Sequence, residues 1–167
     1  MSTIVNDAEI IVSTFKEGLL SPVAHDLEIR VKRCAIERES DQLTATIDAT
    51  SLEVVHAMRD GRAAPALLGP DAKAEIERTM ASAAVLDVKK YPRIVFRSTT
   101  IGPTEVLGQL TLHGVTREVR LTRRERTAEL RLDQRDFGIK PYSALLGALR
   151  VKAEVVVRAT AREDFQL

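Results

Sequence analysis

Residues 149–161, LRVKAEVVVRATA, carry the clearest folding signal of this 167-residue chain. Every second residue from Leu149 to Ala159 is apolar, while charged residues such as Arg150 and Lys152 stand between them. A period of two is typical of a β-strand that buries one face and exposes the other. This stretch therefore predicts a strand whose apolar face packs against an interior.

The same alternation recurs in six further segments. They are HDLEIRVK (25–32), DQLTATIDA (41–49), RIVFRST (93–99), GQLTLHG (108–114), EVRLT (118–122) and TAELRLDQ (127–134). Consecutive segments follow each other too closely for helical crossovers, so neighbouring strands are expected to be antiparallel. Many short strands close most economically into a barrel, because closure removes exposed edges. The pattern predicts an all-β domain, with a barrel favoured over a sandwich.

One segment, residues 69–92, breaks the alternation. Apolar residues recur there at helical spacing, and they form a stripe of Ala72, Ile76, Met80 and Ala83. Proline is tolerated in the first turn of a helix, so Pro70 marks the start of a helix over about residues 70–86. Breakers in residues 58–70 predict a long loop before this helix, which would flank or cover the barrel.

Composition narrows the classes of partner. The chain has 25 Lys and Arg against 24 Asp and Glu, and a formal charge of +1 supplies no field for nucleic acid or an anionic membrane. The single cysteine, Cys34, cannot form an intramolecular disulfide. We expect a cytoplasmic protein without stable membrane insertion, because neither an export signal nor an apolar run of spanning length is visible.

Three motifs resemble those of the YceI-like, lipocalin-like family of polyisoprenoid-binding barrels. They are LDVKKYPRIVFRST (86–99), GQLTLHGVTREVRL (108–121) and RLDQRDFGI (131–139). The resemblance implies one domain over residues 1–167, with an eight-stranded antiparallel barrel over about residues 9–162. It also implies an elongated apolar cavity that holds a polyisoprenoid, an isoprenoid quinone or a fatty-acid-like lipid, and no catalytic residues. Relatives are often dimeric, so a homodimer is expected.

The inward positions of the strands supply the candidate ligand-binding residues. Several inward residues are small and leave room inside: Ala45, Ala49, Ala128, Ala153 and Ala159. The predicted cavity wall, which is equally the set of core positions for a filled interior, is Ile29, Ala45, Ile47, Phe96, Leu112, Leu132, Ala153 and Val155. We expect no catalytic group, no metal site and no cofactor.

The three histidines are assigned structural duties. His25 stands beside Asp26, but no serine or cysteine occurs in a nucleophile motif that this pair would serve. His56 precedes a loop and is expected to be exposed. His113 and Gly114 are expected to form a strand-to-strand turn that needs positive φ angles. Their spacing is not that of metal ligands.

Seven arginines between residues 117 and 135 allow three interpretations, of which the third, a site for single-stranded nucleic acid, lacks the interleaved aromatic residues that base stacking requires. Alternation places most of them on the outer face, which favours a solvated, ion-paired hairpin. The alternative is a site for a pyrophosphate or fatty-acid head group at the mouth of the barrel. The arginines are Arg117, Arg120, Arg123, Arg124, Arg126, Arg131 and Arg135.

Two rival functions remain beside non-catalytic lipid binding or sequestration. A barrel with a filled interior would be a structural or protein-interaction module that uses residues 58–70 and the arginine-rich hairpin as its surface. An unrecognised enzyme is the third class. A long dry cavity would favour lipid binding, and a packed interior with an exposed apolar patch would favour the interaction module.

Overall fold

A computed structural model describes residues 3–5, 8–17, 25–144, 147 and 149–162. One α-helix, α1, spans Pro70–Ala81, and short 3-10 helices occupy Ala49–Ser51, Pro65–Leu67 and Gln134–Phe137. The strands are β1 (Thr3–Val5), β2 (Ala8–Thr14), β3 (Lys16–Glu17), β4 (Asp26–Val31), β5 (Cys34–Glu39), β6 (Gln42–Asp48), β7 (Leu52–Arg59), β8 (Arg62–Ala63), β9 (Arg93–Ile101), β10 (Glu105–Leu112), β11 (Val115–Arg124), β12 (Thr127–Asp133), β13 (Ser143–Ala144), β14 (Leu149–Val151) and β15 (Glu154–Ala161).

The prediction of an all-β domain with one helix fits the structure, but the prediction of a closed eight-stranded barrel is wrong. Twelve strands form one antiparallel sheet in the order β1-β5-β6-β9-β10-β11-β12-β15-β2-β4-β7-β8. In the described ranges no ladder joins β1 to β8, so the sheet is open. Three further strands form a small separate sheet in the order β13-β14-β3.

One of the additional strands arises because a bend divides an alternating run, and the others lie outside the seven predicted runs. Residues 149–161 are two strands, β14 and β15, which belong to different sheets. The break lies at Lys152 and Ala153, where the Lys152 N–H donates to the Phe15 carbonyl over 2.8 Å and the Ala153 carbonyl accepts from Gln134 N over 2.9 Å. Alternation cannot reveal such a break, because the apolar positions keep their parity on both sides of it.

The large sheet curves around an apolar interior. Inward residues of β4, β6, β9, β10, β12 and β15 converge there, as the alternation predicts. Phe137 and Ile139 are each 2% exposed and seal the interior beside the 3-10 helix at Gln134–Phe137. The core therefore lies on the concave side of the sheet.

Among the junctions between strands of six or more residues in the large sheet, the one between β11 and β12 has the fewest paired residues. β10 and β11 pair from Glu105–Thr122 to Leu112–Val115, whereas β11 and β12 pair only from Thr122–Glu129 to Arg124–Thr127. The 3-10 helix at Gln134–Phe137 stands beside the diverging part, where Arg117 Nε donates to the Asp136 carbonyl over 3.0 Å. On the side of β11 that faces away from β10, this contact with the 3-10 helix lies where ladder hydrogen bonds to β12 are absent.

Helix α1 is shorter than predicted, since it ends at Ala81 rather than near residue 86. Ser82 takes an extended backbone (φ −73°, ψ 169°), and its hydroxyl donates to the Thr79 carbonyl over 2.6 Å. The predicted long loop before the helix instead contains the β7–β8 hairpin and the 3-10 helix at Pro65–Leu67.

Helix α1 covers part of the edge of β7 that is not paired with another strand. Lys73 Nζ donates to the Val55 carbonyl over 2.7 Å, and the Val54 N–H donates to Glu77 Oε1 over 2.8 Å. Lys73 and Glu77 are four residues apart and so share one face of the helix. Two side chains thereby satisfy β7 groups that a neighbouring strand would otherwise pair.

The turn predicted at His113 and Gly114 is confirmed. Both residues have positive φ angles, 52° and 75°, and they join β10 to β11. His113 packs against Tyr91 with ring centroids 4.6 Å apart, and its Nδ1 lies 3.3 Å from the Phe137 carbonyl oxygen. The turn ties three segments of the chain together at one end of the sheet.

Candidate functional site

A cavity of about 710 Å³ lies between the concave side of the large sheet and helix α1. Its volume is within the roughly 300–1,000 Å³ that small-molecule sites occupy. All but seven of its lining residues are apolar, and they come from strands along the whole sheet. The interior therefore contains a substantial apolar space rather than a completely packed core.

Seven of the eight predicted wall residues line this cavity. They are Ile29, Ala45, Ile47, Phe96, Leu112, Leu132 and Val155. Ala153 is not among the lining residues, because it lies in the bend between β14 and β15. The prediction of where Ala153 points is thus wrong, while ligand contact by the other seven stays a prediction.

The small residues that leave room inside are partly those predicted. Ala45, Ala128 and Ala159 line the cavity. Ala49 is 3% exposed, but it lies in the 3-10 helix at Ala49–Ser51 rather than on the cavity wall. Three alanines at inward positions therefore contribute to the width of the space.

Helix α1 supplies one side of the cavity. Ala72, Ile76 and Met80 line it, as the predicted apolar stripe requires. Ala83, the fourth member of that stripe, is exposed because the helix has already ended. Val85 and Leu86 line the cavity from the segment that follows, and alternation and helical spacing gave no signal for them.

The polar residues of the lining are concentrated rather than scattered. Glu75 and Thr79 lie on α1. The other five lie at or next to the ends of strands, or in the short strand β14. Thr14 ends β2 and Gln134 follows β12, His25 and Tyr142 precede β4 and β13, and Arg150 lies in β14. Backbone hydrogen bonds join these segments, since Val151 N donates to the Tyr142 carbonyl and Lys152 N donates to the Phe15 carbonyl. We call these five residues the polar rim.

Sequence reasoning missed most of the polar rim. His25 was expected to be structural, and it lines the cavity, whereas Tyr142 and Arg150 carried no signal at all. Arg150 stands at an outward position of the alternating run 149–161. It contacts the cavity because β14 belongs to the small sheet, in which Leu149, Arg150 and Val151 all reach the lining.

The other histidines and the lone cysteine lie away from the cavity. The expectation of an exposed His56 is wrong, since its side chain is 21% exposed and Nε2 lies 3.2 Å from Glu28 Oε2 across the β4–β7 pair. Burial raises the pKa of the Cys34 thiol. Among the described residues, no group of three or more His, Cys, Asp or Glu is arranged to hold a metal ion.

The arginines of the arginine-rich hairpin lie on the outer face of the sheet, away from the cavity. None of its seven arginines lines the cavity, and several are held by carboxylates or carbonyls. Arg120 lies 3.1 Å from Glu105, and Arg123 donates to the Gly102 carbonyl over 3.1 Å. The Arg135 guanidinium hydrogen-bonds Asp133 and lowers the pKa of that carboxyl. The ion-paired interpretation fits these contacts, and the head-group interpretation of the hairpin has no geometric support.

Comparison with known proteins decides the family. A family model described as the YceI-like domain matches residues 12–162. The chain belongs to the YceI-like family. The resemblance inferred from the three motifs is thereby confirmed.

Solved structures share the fold of this YceI-like chain at low sequence identity. BcnA of Burkholderia cenocepacia is 17% identical, with a TM-score of 0.61 over 91% of this chain and 93% of that one. A polyisoprenoid-binding domain from Saccharophagus degradans, implicated in plant cell wall breakdown, is 11% identical, with a TM-score of 0.59 over 96% of this chain and 98% of that one.

A curated relative matches a shorter part of the sequence. The UPF0312 protein of Pseudomonas putida strain W619 is 51% identical over 51 residues, which are 28% of this chain and 27% of that protein. The match thus spans about a quarter of the relative's length. Separately, no helix in the described part of this YceI-like chain has the length and hydropathy that a membrane crossing requires.

Proposed function

We propose that this YceI-like chain binds a long-chain apolar ligand, such as a polyisoprenoid, an isoprenoid quinone or a fatty-acid-like lipid, without catalysing a reaction. The observation that carries the proposal is the cavity of about 710 Å³ with a lining that is apolar in all but seven residues. This volume is nearly five times the roughly 150 Å³ of an engineered dry cavity that holds benzene. A chain of many carbons fits this space better than a compact polar metabolite does.

Burial of the ligand would supply the affinity. Each square ångström of apolar surface removed from water contributes about 25 cal/mol, before the entropy of association is subtracted. Val12, Ile29, Leu110 and Leu130 come from four different strands and face the same space. The polyisoprenoid-binding domain from Saccharophagus degradans, which shares this fold, supports the same class of ligand.

The non-catalytic part of the proposal has its own support. In the described part of the chain no serine or cysteine lines the cavity, so covalent acyl transfer lacks its usual nucleophiles there. The rival interaction module required a filled interior, and the cavity argues against it. The cytoplasmic compartment and the homodimer stay predictions, which cell fractionation and analytical ultracentrifugation would check.

Native mass spectrometry of protein purified without detergent tests the proposal. We expect a stoichiometric added mass that organic extraction releases as a long-chain lipid. The double variant Ala45→Phe/Ala159→Phe fills the cavity from two strands and should lose this mass, whereas Ala84→Phe, at an exposed position outside the lining, should keep it. A ligand-free mass that neither prenyl lipids nor fatty acids shift would contradict the proposal.

A further inference from the structure

Among the described residues, the polar rim is the largest group of polar side chains in the cavity lining, and it can hold the polar end of an amphiphile. Thr14, His25, Gln134, Tyr142 and Arg150 lie at one end of the sheet, while the lining beyond them is apolar except for Glu75 and Thr79 on α1. An amphiphilic ligand gains most when its chain occupies the apolar part and its head group stays with polar partners. The distribution of polarity therefore orients the ligand.

Hydrogen-bond donors of the rim lack partners within the described residues. The side chains of His25, Tyr142 and Arg150 make no hydrogen bond or ion pair there. The Gln134 side chain, by contrast, donates to the Lys152 carbonyl over 3.1 Å. Three side chains with N–H or O–H groups thus border the cavity with donor capacity to spare.

The charge of the rim comes from Arg150. It is the only lysine or arginine that lines the cavity in the described residues, and its guanidinium is always protonated. Lys16 pairs with Val151 in the β3–β14 ladder, so a second cationic residue belongs to the same small sheet. Glu17 lies opposite Arg150 in that ladder, but no ion pair joins the two side chains.

We propose that the polar rim binds an anionic, oxygen-rich head group, a carboxylate or a phosphate, at Arg150 with His25 and Tyr142 beside it. The inference rests on the proposed binding of a long-chain ligand, and it adds the class of head group and the direction of entry. A guanidinium donates two parallel hydrogen bonds to such a group, and a charge-assisted bond is about twice as strong as a neutral one. The hydrocarbon chain then runs from the small sheet into the apolar interior.

Equilibrium binding to delipidated protein tests the inference with four probes: palmitate, methyl palmitate, hexadecyl phosphate and hexadecanol. We expect palmitate or hexadecyl phosphate to bind at least about tenfold more tightly than its neutral counterpart, since hydrogen bonds to charged groups are stronger than those to neutral groups. The two anions distinguish a carboxylate site from a phosphate site.

Three variants assign the effect to the rim. Arg150→Gln should weaken binding of the preferred anion about tenfold and leave methyl palmitate within about twofold, whereas Arg150→Lys should fall between wild type and Arg150→Gln. Arg124→Gln, the same change at an exposed residue outside the lining, should alter neither probe. Thermal melts confirm that each variant is folded.

The outcomes separate this inference from the proposed function. Equal affinities for anionic and neutral probes, unchanged in Arg150→Gln, would overturn the head-group assignment while leaving lipid binding intact. Failure of all four probes, and of prenyl lipids, would overturn both.

Discussion

At the scale of single residues, Gly108 is a position in a strand where a methyl group cannot be added without overlap. A Cβ there would overlap the carbonyl oxygen of Arg97 and the ring of Phe96, because β9 and β10 approach closely at an irregularity in their register. The Arg97 oxygen belongs to the backbone and cannot rotate away. Gly108→Ala should lower the free energy of unfolding by about 1–3 kcal/mol, as overpacking typically does.

Urea denaturation of Gly108→Ala, followed by circular dichroism, measures this loss. Gly69→Ala is the matched control, since nothing lies within 4 Å of its added Cβ. Because Gly69 is the N-cap of α1, where alanine is less favourable than glycine, the unfolding midpoint of Gly69→Ala should fall slightly, and by less than that of Gly108→Ala. Equal midpoints for the two variants would show that β9 and β10 separate easily at this point.

Asp48 links the stability of the fold to pH. Hydrogen bonds from Thr50 and Arg33 hold the pKa of this carboxyl below its usual value of 3.8. Because the pKa is lower in the folded chain, the charged form stabilises the fold above pH 3.8. That contribution disappears as the pH falls through the lowered value.

Asp48→Asn should therefore melt at a lower temperature than the wild type at neutral pH, and the difference should shrink in acid. Asp41→Asn, at an exposed turn residue, is the control and should show no such trend. The measurement is a series of thermal melts across the acid range. A constant difference at all pH values would contradict the role assigned to the carboxylate.

The sequence predicted which residues face the interior wherever strand alternation alone decides it. Ile29, Phe96 and Leu132 reach the cavity because inward parity is kept along each strand. Ala153 and Arg150 depart from the pattern because the run 149–161 bends at Ala153 and because all three residues of β14, in the small sheet, reach the lining. Hydrogen bonds between distant segments cause that bend, and no local signal reports them.

At the scale of elements, α1 and β7 depend on each other through Glu77. Its carboxylate accepts from Val54 N–H, and Val54 is 3% exposed. Glu77→Ala leaves this amide without its partner and should cost about 1–3 kcal/mol. The free energy of unfolding from urea titration checks the value.

Glu77→Gln supplies the control for that prediction. The amide oxygen of glutamine accepts the same hydrogen bond, so most of the stability should be kept. An equal loss in both variants would mean that the charge, rather than acceptance from Val54, is what stabilises the contact.

The sequence predicted the type of each element better than it predicted the residues at which the element begins and ends. The stripe of Ala72, Ile76 and Met80 identified α1 because helical spacing is local information. Its end at Ala81 depends on the Ser82 hydroxyl, which binds the Thr79 carbonyl and which the apolar pattern does not contain.

At the scale of the whole molecule, ligand occupancy should appear as thermal stability. A ligand at about 100 times its dissociation constant stabilises the folded state by about 2.7 kcal/mol. For a domain of this size, each kcal/mol raises the melting temperature by about 2–4 °C, so a rise of roughly 5–10 °C is expected. Differential scanning fluorimetry of delipidated and reloaded protein measures it.

The variant Ala45→Phe/Ala159→Phe is the negative control for this rise, because its filled cavity leaves no room for the chain. An equal rise in the variant would place the ligand outside the cavity. A wild-type melting temperature that ignores added lipid would contradict the proposed function.

The order of the strands, and the open edges of the large sheet in the described ranges, could not be predicted from the sequence. Alternation identifies which side of a strand is buried, but it does not say which strands are neighbours. The order β15-β2-β4 joins the end of the chain to its beginning, and only long-range pairing such as Val157–Val12 records that arrangement. The prediction of a closed eight-stranded barrel was therefore wrong, while the apolar side of the strands was correctly predicted.

The short pairing between β11 and β12 should make the rate of local opening differ from place to place in the large sheet. Three residue pairs hold this junction, whereas eight hold β10 to β11. Local opening is least costly where ladder hydrogen bonds are few. Apart from the edge strands β1 and β8, exchange of peptide hydrogens for deuterium in the large sheet should consequently begin at the amides of β11 that point away from β10. The wall of the cavity is thus expected to open locally along the junction between β11 and β12.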